Sequence, residues 1–511
     1  MGVFSLRPYQ EEAKNELRKL FMDNKKRIIL CKPTGSGKTV TFANIARESV
    51  LNGFKVMIVV DRKELLEQAQ EKLISYGLNP SLITSGKTGK MSSNSFISTV
   101  QTLVRRKLPP VDLIIIDEAH KQIFDKVLDR EEYKNVLVIG ATATPYRTGK
   151  MNQLSKYYDE MVETVTINDL ISQGFLTPAI TYGAKVDTSN IKVKGREYDM
   201  ESMYDAFNKV SLYAGVVDKY NKFAKGTKAI CFNINVKHSK KVTQSFLNAG
   251  IPAAHLDGSM SKSERSRILD GFKHGAFKVL CNVDVLTTGY DEWTIETVIV
   301  NRATKSLPLW LQMAGRGSRI TPKEFQGNPK YLQKEHFNLI DMGGNVFNLG
   351  FWEQEREFSL THKTREKESV APVKSCPEDK HDAPPVNEIT GRPEREPIEG
   401  CGALLPASAT KCKFCGFVFP VKKKEPKEAE FIQLENYEFL PVELVGKAWG
   451  SLNFQELEEV KKARGFKFGW IVKQIMIRED LDLLEYAKFK GYKHPKEWVK
   501  KMESIYIKKE G

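Results

Sequence analysis

The run Lys32-Pro33-Thr34-Gly35-Ser36-Gly37-Lys38-Thr39 lies between an apolar stretch, Arg27 to Cys31, and a helical one. Two glycines let the backbone curl so that successive N–H groups point inward, and a helix starting at Lys38 adds its positive end. Such a loop binds phosphate. Lys38 would reach the β- and γ-phosphates of a nucleoside triphosphate and Thr39 would ligate Mg2+, with Pro33, Thr34, Gly35, Ser36 and Gly37 forming the cradle. The general pattern opens on glycine, and Lys32 stands in that place. A second apolar run, Leu113 to Ile116, ends in Asp117-Glu118-Ala119-His120. Asp117 can hold the Mg2+ shell while Glu118 orients and deprotonates an attacking water. An acidic pair at a strand end is often only a helix cap, but its place after a phosphate loop favours catalysis.

The seven cysteines fall into two kinds. Cys31, Cys231 and Cys281 sit inside apolar, strand-like runs and are expected in cores. Cys376, Cys401, Cys412 and Cys415 share one loop-rich stretch and suit metal ligation better than disulfides in a reducing compartment. Cys412-Lys413-Phe414-Cys415-Gly416 is a C-x2-C turn, and Gly416 lets backbone N–H groups approach sulfur.

Elements must position these groups. RIILC, KVMIVV, SFISTV, DLIIIDE and NVLVIGA alternate with helical segments such as Glu64 to Tyr76, which predicts a parallel α/β sheet. A second set, KAICFNI, AAHLDG, KVLCNVDVL, TVIVNRA and FNLIDM, predicts a second lobe. From Lys374 to Pro397 large apolar residues nearly vanish, which reads as a linker or insertion. Toward the C-terminus VKKARGFKFGWIVK resembles YAKFKGYKHPKEWVK, each a helix, a glycine turn and a Trp-bearing helix. Across 511 residues, 79 basic and 64 acidic side chains give a net charge of +15, which favours polyanionic partners. The N-terminal stretch lacks an apolar leader and no run of ~20 apolar residues occurs, so a cytoplasmic protein without membrane contact is expected.

Taken in order, these motifs resemble superfamily two helicases, and most closely the RadD-like group of bacterial and phage DNA helicases related to type III restriction subunits. The likeness is carried through residue 348 by the stretch VLTTGYDEWTIETVIVNRATKSLPLWLQMAGRGSR and by FNLIDMGGNV. It implies two tandem RecA-like lobes, 1–165 and 166–360, then a linker and zinc module over 361–430 and a basic helical region over 431–511. It implies that Arg7-Pro8-Tyr9-Gln10 reads adenine, with Gln10 selecting ATP, and that Thr142-Ala143-Thr144 couples hydrolysis to lobe movement. Gly289 and Asp291, of Thr287-Thr288-Gly289-Tyr290-Asp291, would serve the nucleotide. Gln312, Arg316 and Arg319 would act from the second lobe, where an arginine stabilises transition-state charge only when the lobes close. Nucleic acid would meet Arg62, Lys63, Thr99, Gln101, Asn233, Thr287 and Thr288.

The family's cysteine ribbon matches Cys401-Gly402-Ala403-Leu404-Leu405-Pro406 and Cys412 to Phe417. The cysteine expected just before Cys401 is missing, with Glu399 and Gly400 there instead, and Cys376-Pro377 looks like the displaced half. A structural Zn2+ on four thiolates is expected; the alternatives are His381 or Glu399 replacing one thiolate, or no metal. The tail interleaves Lys461, Lys462, Arg464, Lys467, Lys488, Lys490, Lys493 and Lys496 with Phe466, Phe468, Trp470, Tyr492 and Trp498, which suits accessory DNA binding, protein docking or a structural cap. The leading expectation is an ATP-driven DNA helicase or translocase on single-stranded or branched DNA. A single-strand-binding protein or a recombinase is the candidate protein partner. An RNA helicase, or a motor subunit of a nuclease or recombinase complex, is the alternative.

Overall fold

β-branched runs alternate with helices from Arg27 onward, and the chain pairs them in parallel into two sheets. The computed structural model describes residues 5–106, 109–147, 153–195, 197–207, 210–287, 290–329, 331–361, 372–384, 393–420, 444, 447, 449–464, 468–478 and 480–506. The first lobe opens with α1 (Pro8–Met22), β1 (Arg27–Cys31), α2 (Lys38–Leu51), β2 (Val56–Val60) and α3 (Lys63–Ser75). It continues with β3 (Ser81–Ile83), β4 (Ser95–Thr99), α4 (Val100–Leu103), β5 (Leu113–Asp117), α5 (Asp125–Leu128), β6 (Leu137–Thr142) and β7 (Glu160–Glu163). The strand order is β3-β4-β2-β5-β6-β1-β7. Alternate residues of each strand pack on opposite faces: Ile28, Ile58 and Ile115 in one core, Ile29, Met57 and Ile114 in the other. Both faces are covered, as parallel sheets require.

The second lobe starts at α6 (Ile167–Ser172) and β8 (Ala179–Gly183), followed by a small hairpin, β9 (Val193–Lys194) and β10 (Glu197–Tyr198), and α7 (Met200–Phe207). Then come α8 (Val210–Phe223), β11 (Ala229–Asn233), α9 (Val236–Asn248), β12 (Ala253–Leu256), α10 (Lys262–Lys273) and β13 (Val279–Asn282). β14 (Thr297–Asn301), α11 (Leu307–Ala314), β15 (Phe337–Asp341) and α12 (Asn345–Leu349) complete it, in the order β12-β13-β11-β14-β15-β8. The ten strand runs read from sequence all form. β3, β7 and β8 were not expected, because each is a short sheet-edge run or carries too little alternation to stand out. Cys31, Cys231 and Cys281 are buried in these cores.

The stretch expected as a linker or insertion is folded where it is described, its backbone pairing where its side chains cannot pack. β16 (Val373–Ser375) pairs antiparallel with β17 (Leu404–Pro406), and His381 faces Glu399 across an isolated bridge. The Asp382 carboxylate accepts from Arg395 Nη1 at 2.9 Å and from the Ile398 and Val418 backbone N–H groups, each at 2.8 Å. The Arg395 guanidinium beside it holds Asp382 far below the usual carboxylate range. Ala403 and Leu404 pack into the second-lobe core.

Residues 422–511 are a separate unit. Its described helices, α13 (Phe454–Arg464), α14 (Phe468–Met476), α15 (Leu483–Phe489) and α16 (Pro495–Tyr506), form two hairpins that match the sequence repeat. Trp470 and Trp498 pack partly buried against its apolar core of Leu457, Ile471, Ile475 and Tyr486, so both tryptophans serve packing. Phe466 and Lys467 lie outside the described residues, as does the Arg464 side chain. Among the described residues no helix is long and apolar enough to cross a membrane.

Trp310, fully buried on α11, donates from its indole to the Gly350 carbonyl at 3.0 Å. Replacing it by alanine removes a large side chain from the middle of the second lobe. Trp310→Ala should lower stability by about 3–5 kcal/mol, read as the shift of the urea unfolding midpoint for residues 1–421.

Candidate active site

The phosphate loop forms because β1 ends at Cys31 and α2 begins at Lys38, leaving six residues to turn. Gly35 and Gly37 make the turn with φ of 92° and 75°, a region side chains avoid. Pro33 carbonyl accepts from Ser36 Oγ at 2.8 Å, which closes the curl. Gln10 Nε2 and the Tyr9 hydroxyl both donate to the Ser36 carbonyl, at 3.0 and 2.9 Å. Gln10 is held in turn by the Arg7 N–H, at 2.9 Å to Oε1, while the Arg7 guanidinium lies over the Phe175 ring of the second lobe. The segment Arg7 to Gln10 is thus built onto the loop.

Asp117 and Glu118 end β5 beside the loop. Glu118 has φ of 56°, a strained value for a side chain other than glycine and a feature that clusters at active sites. Burial, then the neighbouring Glu118 charge, push the Asp117 carboxyl up to about 6. Burial also raises Glu118, but Lys38, His120, Lys121 and Arg316 outweigh it and keep that carboxyl below its usual value. The pair is therefore divided in role: Glu118 is ionised and able to take a proton, while Asp117 gains most from a bound cation. Burial lowers His120 to about 4, so it is neutral at pH 7, with Nδ1 2.8 Å from Thr142 Oγ1 and 3.4 Å from Glu118 Oε2. Thr142 thereby touches the catalytic pair through His120.

The second lobe completes the site. Gln312 Nε2 donates to Glu118 Oε2 at 3.3 Å. Arg319 Nε binds Asp291 at 2.6 Å, and its Nη1, buried and without a hydrogen-bond partner among the described residues, lies so near Gly35 that a Cβ there would overlap it. Arg316 is buried and bonded to the carbonyls of Thr287 and Tyr290. Burial and the neighbouring Arg319 press its pKa down while Asp291 and Glu118 draw it back. Residues of both lobes, Gln10, Thr34, Lys38, Thr39, Asp117, Glu118, Asp291, Gln312, Arg316 and Arg319 among them, line one cavity of about 850 Å3. That is within the size range of small-molecule sites.

The profile of the type III restriction enzyme res subunit matches residues 3–147, and that of the helicase conserved C-terminal domain matches residues 211–321. The chain is a superfamily two helicase of the type III restriction-like group. This motor is 29% identical to a 51.5 kDa protein of a Lactococcus phage (isolate 7-9), over 84% of the chain and 87% of that protein. It is 25% identical to the EcoKI endonuclease subunit, a type I restriction enzyme of Escherichia coli K12, over 67% of the chain but 34% of that subunit. It is 24% identical to the ATP-dependent RNA helicase DBP3 of Vanderwaltozyma polyspora, over 52% of the chain and 53% of that protein. The motor hydrolyses ATP.

Not every expected nucleic-acid contact lies at the surface. Arg62, Lys63 and Gln101 are exposed near the C-terminal ends of β2 and β4, and Thr99 shares a hydrogen bond with Thr102. Asn233, however, is buried: its amide donates to the Cys231 carbonyl and accepts from Asn301. Thr287 is buried too, with its hydroxyl on the Asp284 carbonyl. Asn233 ends β11 and Thr287 lies in the loop after β13, and both side chains are turned inward to bond their own chain. Thr288 and Gly289 lie outside the described residues. Sequence reading missed Lys121, whose ammonium meets the Asp61 carboxylate, while Gln101 Nε2 donates to the Asp61 carbonyl at 2.8 Å. One lysine just past His120 therefore joins the catalytic loop to the segment carrying Arg62 and Lys63. A single charged residue in a surface loop carries no periodic signal that could have marked it.

The four thiols of Cys376, Cys401, Cys412 and Cys415 lie within 4.8 Å of one another. Cys376 Sγ is 3.7 Å from Cys415 Sγ, and Cys401 Sγ is 3.8 Å from Cys412 Sγ. Four thiolates at about 2.3 Å from a tetrahedral ion would stand about 3.8 Å apart. The arrangement fits a thiophilic divalent metal. His381 and Glu399 are exposed and stand outside the cluster. Gly400 is obligatory: a Cβ there would collide with the Pro377 carbonyl and crowd Cys376 Sγ.

Lys38→Ala should abolish ATP hydrolysis, and Glu118→Gln should cut turnover by at least about 100-fold while nucleotide still binds. Arg319→Ala should cost about 1000-fold in kcat, more than Arg316→Ala, since both Nη atoms of Arg316 are held by backbone carbonyls whereas Arg319 Nη1 lies against Gly35 of the loop. Steady-state ATPase together with fluorescent-nucleotide titration checks both orders.

Proposed function

We propose that the chain is an ATP- and Mg2+-dependent DNA translocase or helicase. The observation that carries this reading is that the cavity is closed only by both lobes, through Gln312 on Glu118 and Arg319 over Gly35. Hydrolysis at such a seam changes the relation of the lobes, and a strand held by both is moved. Thr39 and Asp117 would hold Mg2+, which when bound would supply positive charge against the phosphates. The chain's own residues do the rest. Lys38 binds the phosphates, Gln10 selects the base, Glu118 takes the proton of the attacking water and Arg319 stabilises the departing charge. Arg62, Lys63, Thr99 and Gln101 meet the sugar–phosphate backbone, where contacts position a strand without reading sequence.

DNA is favoured over RNA by the broader match to a restriction enzyme subunit, 67% of the chain against 52% for the RNA helicase. A motor subunit within a larger assembly is the second reading, favoured because the chain spans 34% of the EcoKI subunit. Single-strand-binding proteins or recombinases are the partner classes this reading calls for, and the cytoplasm is the compartment. The same reading divides the chain into lobes at 1–165 and 166–360, the zinc module at 361–430 and the helical region at 431–511. The four-cysteine site takes one structural Zn2+, since four protein thiolates leave no open position.

ATPase measured in parallel with single-stranded DNA, duplex DNA, branched DNA and RNA should show the strongest stimulation by single-stranded or branched DNA; equal or greater stimulation by RNA would favour the RNA helicase reading. Native mass spectrometry should find one zinc per chain. Cys376→Ser should lose as much zinc as Cys412→Ser, because the two occupy equivalent corners of the cluster, while ATPase without nucleic acid largely persists.

A further inference from the structure

One charged side chain of the phosphate loop takes no part in this chemistry. Lys32 occupies the first place of the phosphate loop, yet its side chain turns away from the cavity and the residue is 0% exposed. Its ammonium lies 4.8 Å from the centre of the Tyr9 ring and donates to the Tyr9 carbonyl at 3.3 Å. Thr164 Oγ1 donates to the same carbonyl at 3.2 Å. The Lys32 backbone is equally engaged: its N–H donates to the Thr142 carbonyl at 2.9 Å, and its own carbonyl accepts from Lys38 Nζ at 3.4 Å. Three parts of the motor meet at this residue.

Burying an ammonium with so few acceptors is unfavourable. A methionine would fill a slot of that length without a charge to desolvate. What the cation touches is the ring and carbonyl of Tyr9, and the next residue is Gln10.

We propose that Lys32 is a positioning residue for base recognition: by gripping Tyr9 at its carbonyl and ring, it fixes Gln10 against the phosphate loop and so sets the preference for ATP over other nucleoside triphosphates. The inference rests on Gln10 being the base-reading residue. Without the ammonium, Thr164 still bonds the Tyr9 carbonyl and the Tyr9 hydroxyl still bonds Ser36, so the segment stays folded but gains freedom where the base edge is read. The phosphate contacts of Lys38 are left in place, so the effect falls on affinity and selectivity.

The grip needs the proton. Burial lowers Lys32 to about 8, with Glu12 drawing it partly back. The other titratable groups nearby are Arg7 and Tyr9 at the start of α1, Cys31 and Glu163 on β1 and β7, and Lys38 on α2. Burial lifts Tyr9, Cys31 and Glu163 above their usual values. As pH rises through about 8 the ammonium is lost, and ATP affinity should weaken in that direction only.

The test is steady-state ATP and GTP hydrolysis by the full chain from about pH 6.5 to about 9.5, for the wild type, Lys32→Met and Gln10→Ala. Lys32→Met should raise KM for ATP about tenfold, the loss of one hydrogen bond to a charged group, with kcat within about twofold and KM for GTP nearly unchanged. The wild-type KM for ATP should rise above about pH 8, and this rise should be missing in Lys32→Met. An equal rise for ATP and GTP would assign Lys32 to phosphate binding and overturn the proposal. So would a wild-type KM that stays flat through pH 8, a measurement that needs no variant to fold. Lost selectivity in Gln10→Ala with intact selectivity in Lys32→Met overturns the Lys32 proposal alone, whereas intact selectivity in Gln10→Ala overturns the base-reading role itself.

Discussion

Two carboxyl groups on adjacent residues, Asp117 and Glu118, stand at the end of a buried strand, and the motor is organised around their mutual repulsion. Like charges at that spacing cannot both ionise unless something positive or hydrogen-bonding is brought to them. The first lobe supplies Lys38 and Lys121, and the second supplies Gln312 and Arg316. Lys38, His120 and Lys121 of the first lobe carry the larger part of that stabilisation, and Gln312 and Arg316 add to it from across the seam. Residues of both lobes thereby answer to one electrostatic demand.

From the same pair, rigid contacts lead outward. His120, neutral and bonded to Thr142, joins β5 to β6, and the Thr142 carbonyl accepts from the Lys32 N–H, whose side chain meets Tyr9 beside Gln10. In the other direction Lys121 and Asp61 lead to Arg62, at the start of α3, and to Gln101 on α4. The Tyr9–Gln10 segment, the phosphate loop and the segments bearing Arg62 and Gln101 are thus each within a few hydrogen bonds of Glu118. The cysteine module is placed differently. It packs on the second lobe through Ala403 and Leu404 and ion-pairs Lys413 with Glu353 at 3.6 Å, so it braces that lobe and adds nothing to the cavity.

Much of this was legible because its physical signals are local. A phosphate loop needs glycines at fixed spacing next to a helix start, a buried parallel strand needs an unbroken β-branched run, and a C-x2-C turn needs two cysteines and a glycine. Edge strands such as β3 and β8 were not legible, since pairing on one side imposes little on their side chains. The fold of the stretch from Lys374 to Pro397 was not legible for a related reason: backbone pairing and the Asp382 clasp hold its described part, and neither demands apolar residues.

By itself the sequence determined that this is a two-lobed phosphate-loop motor with an acidic catalytic pair and four cysteines in reach of one another, because each rests on residue type and spacing along the chain. Only the tertiary structure decided which side chains converge. It put Arg319 rather than Arg316 over the loop, turned Asn233 and Thr287 inward, closed Cys376 onto Cys415 across 39 positions, and buried Lys32 beneath Tyr9. Such contacts join residues distant in the chain, and their geometry is set by how sheets and loops pack, which no local pattern records.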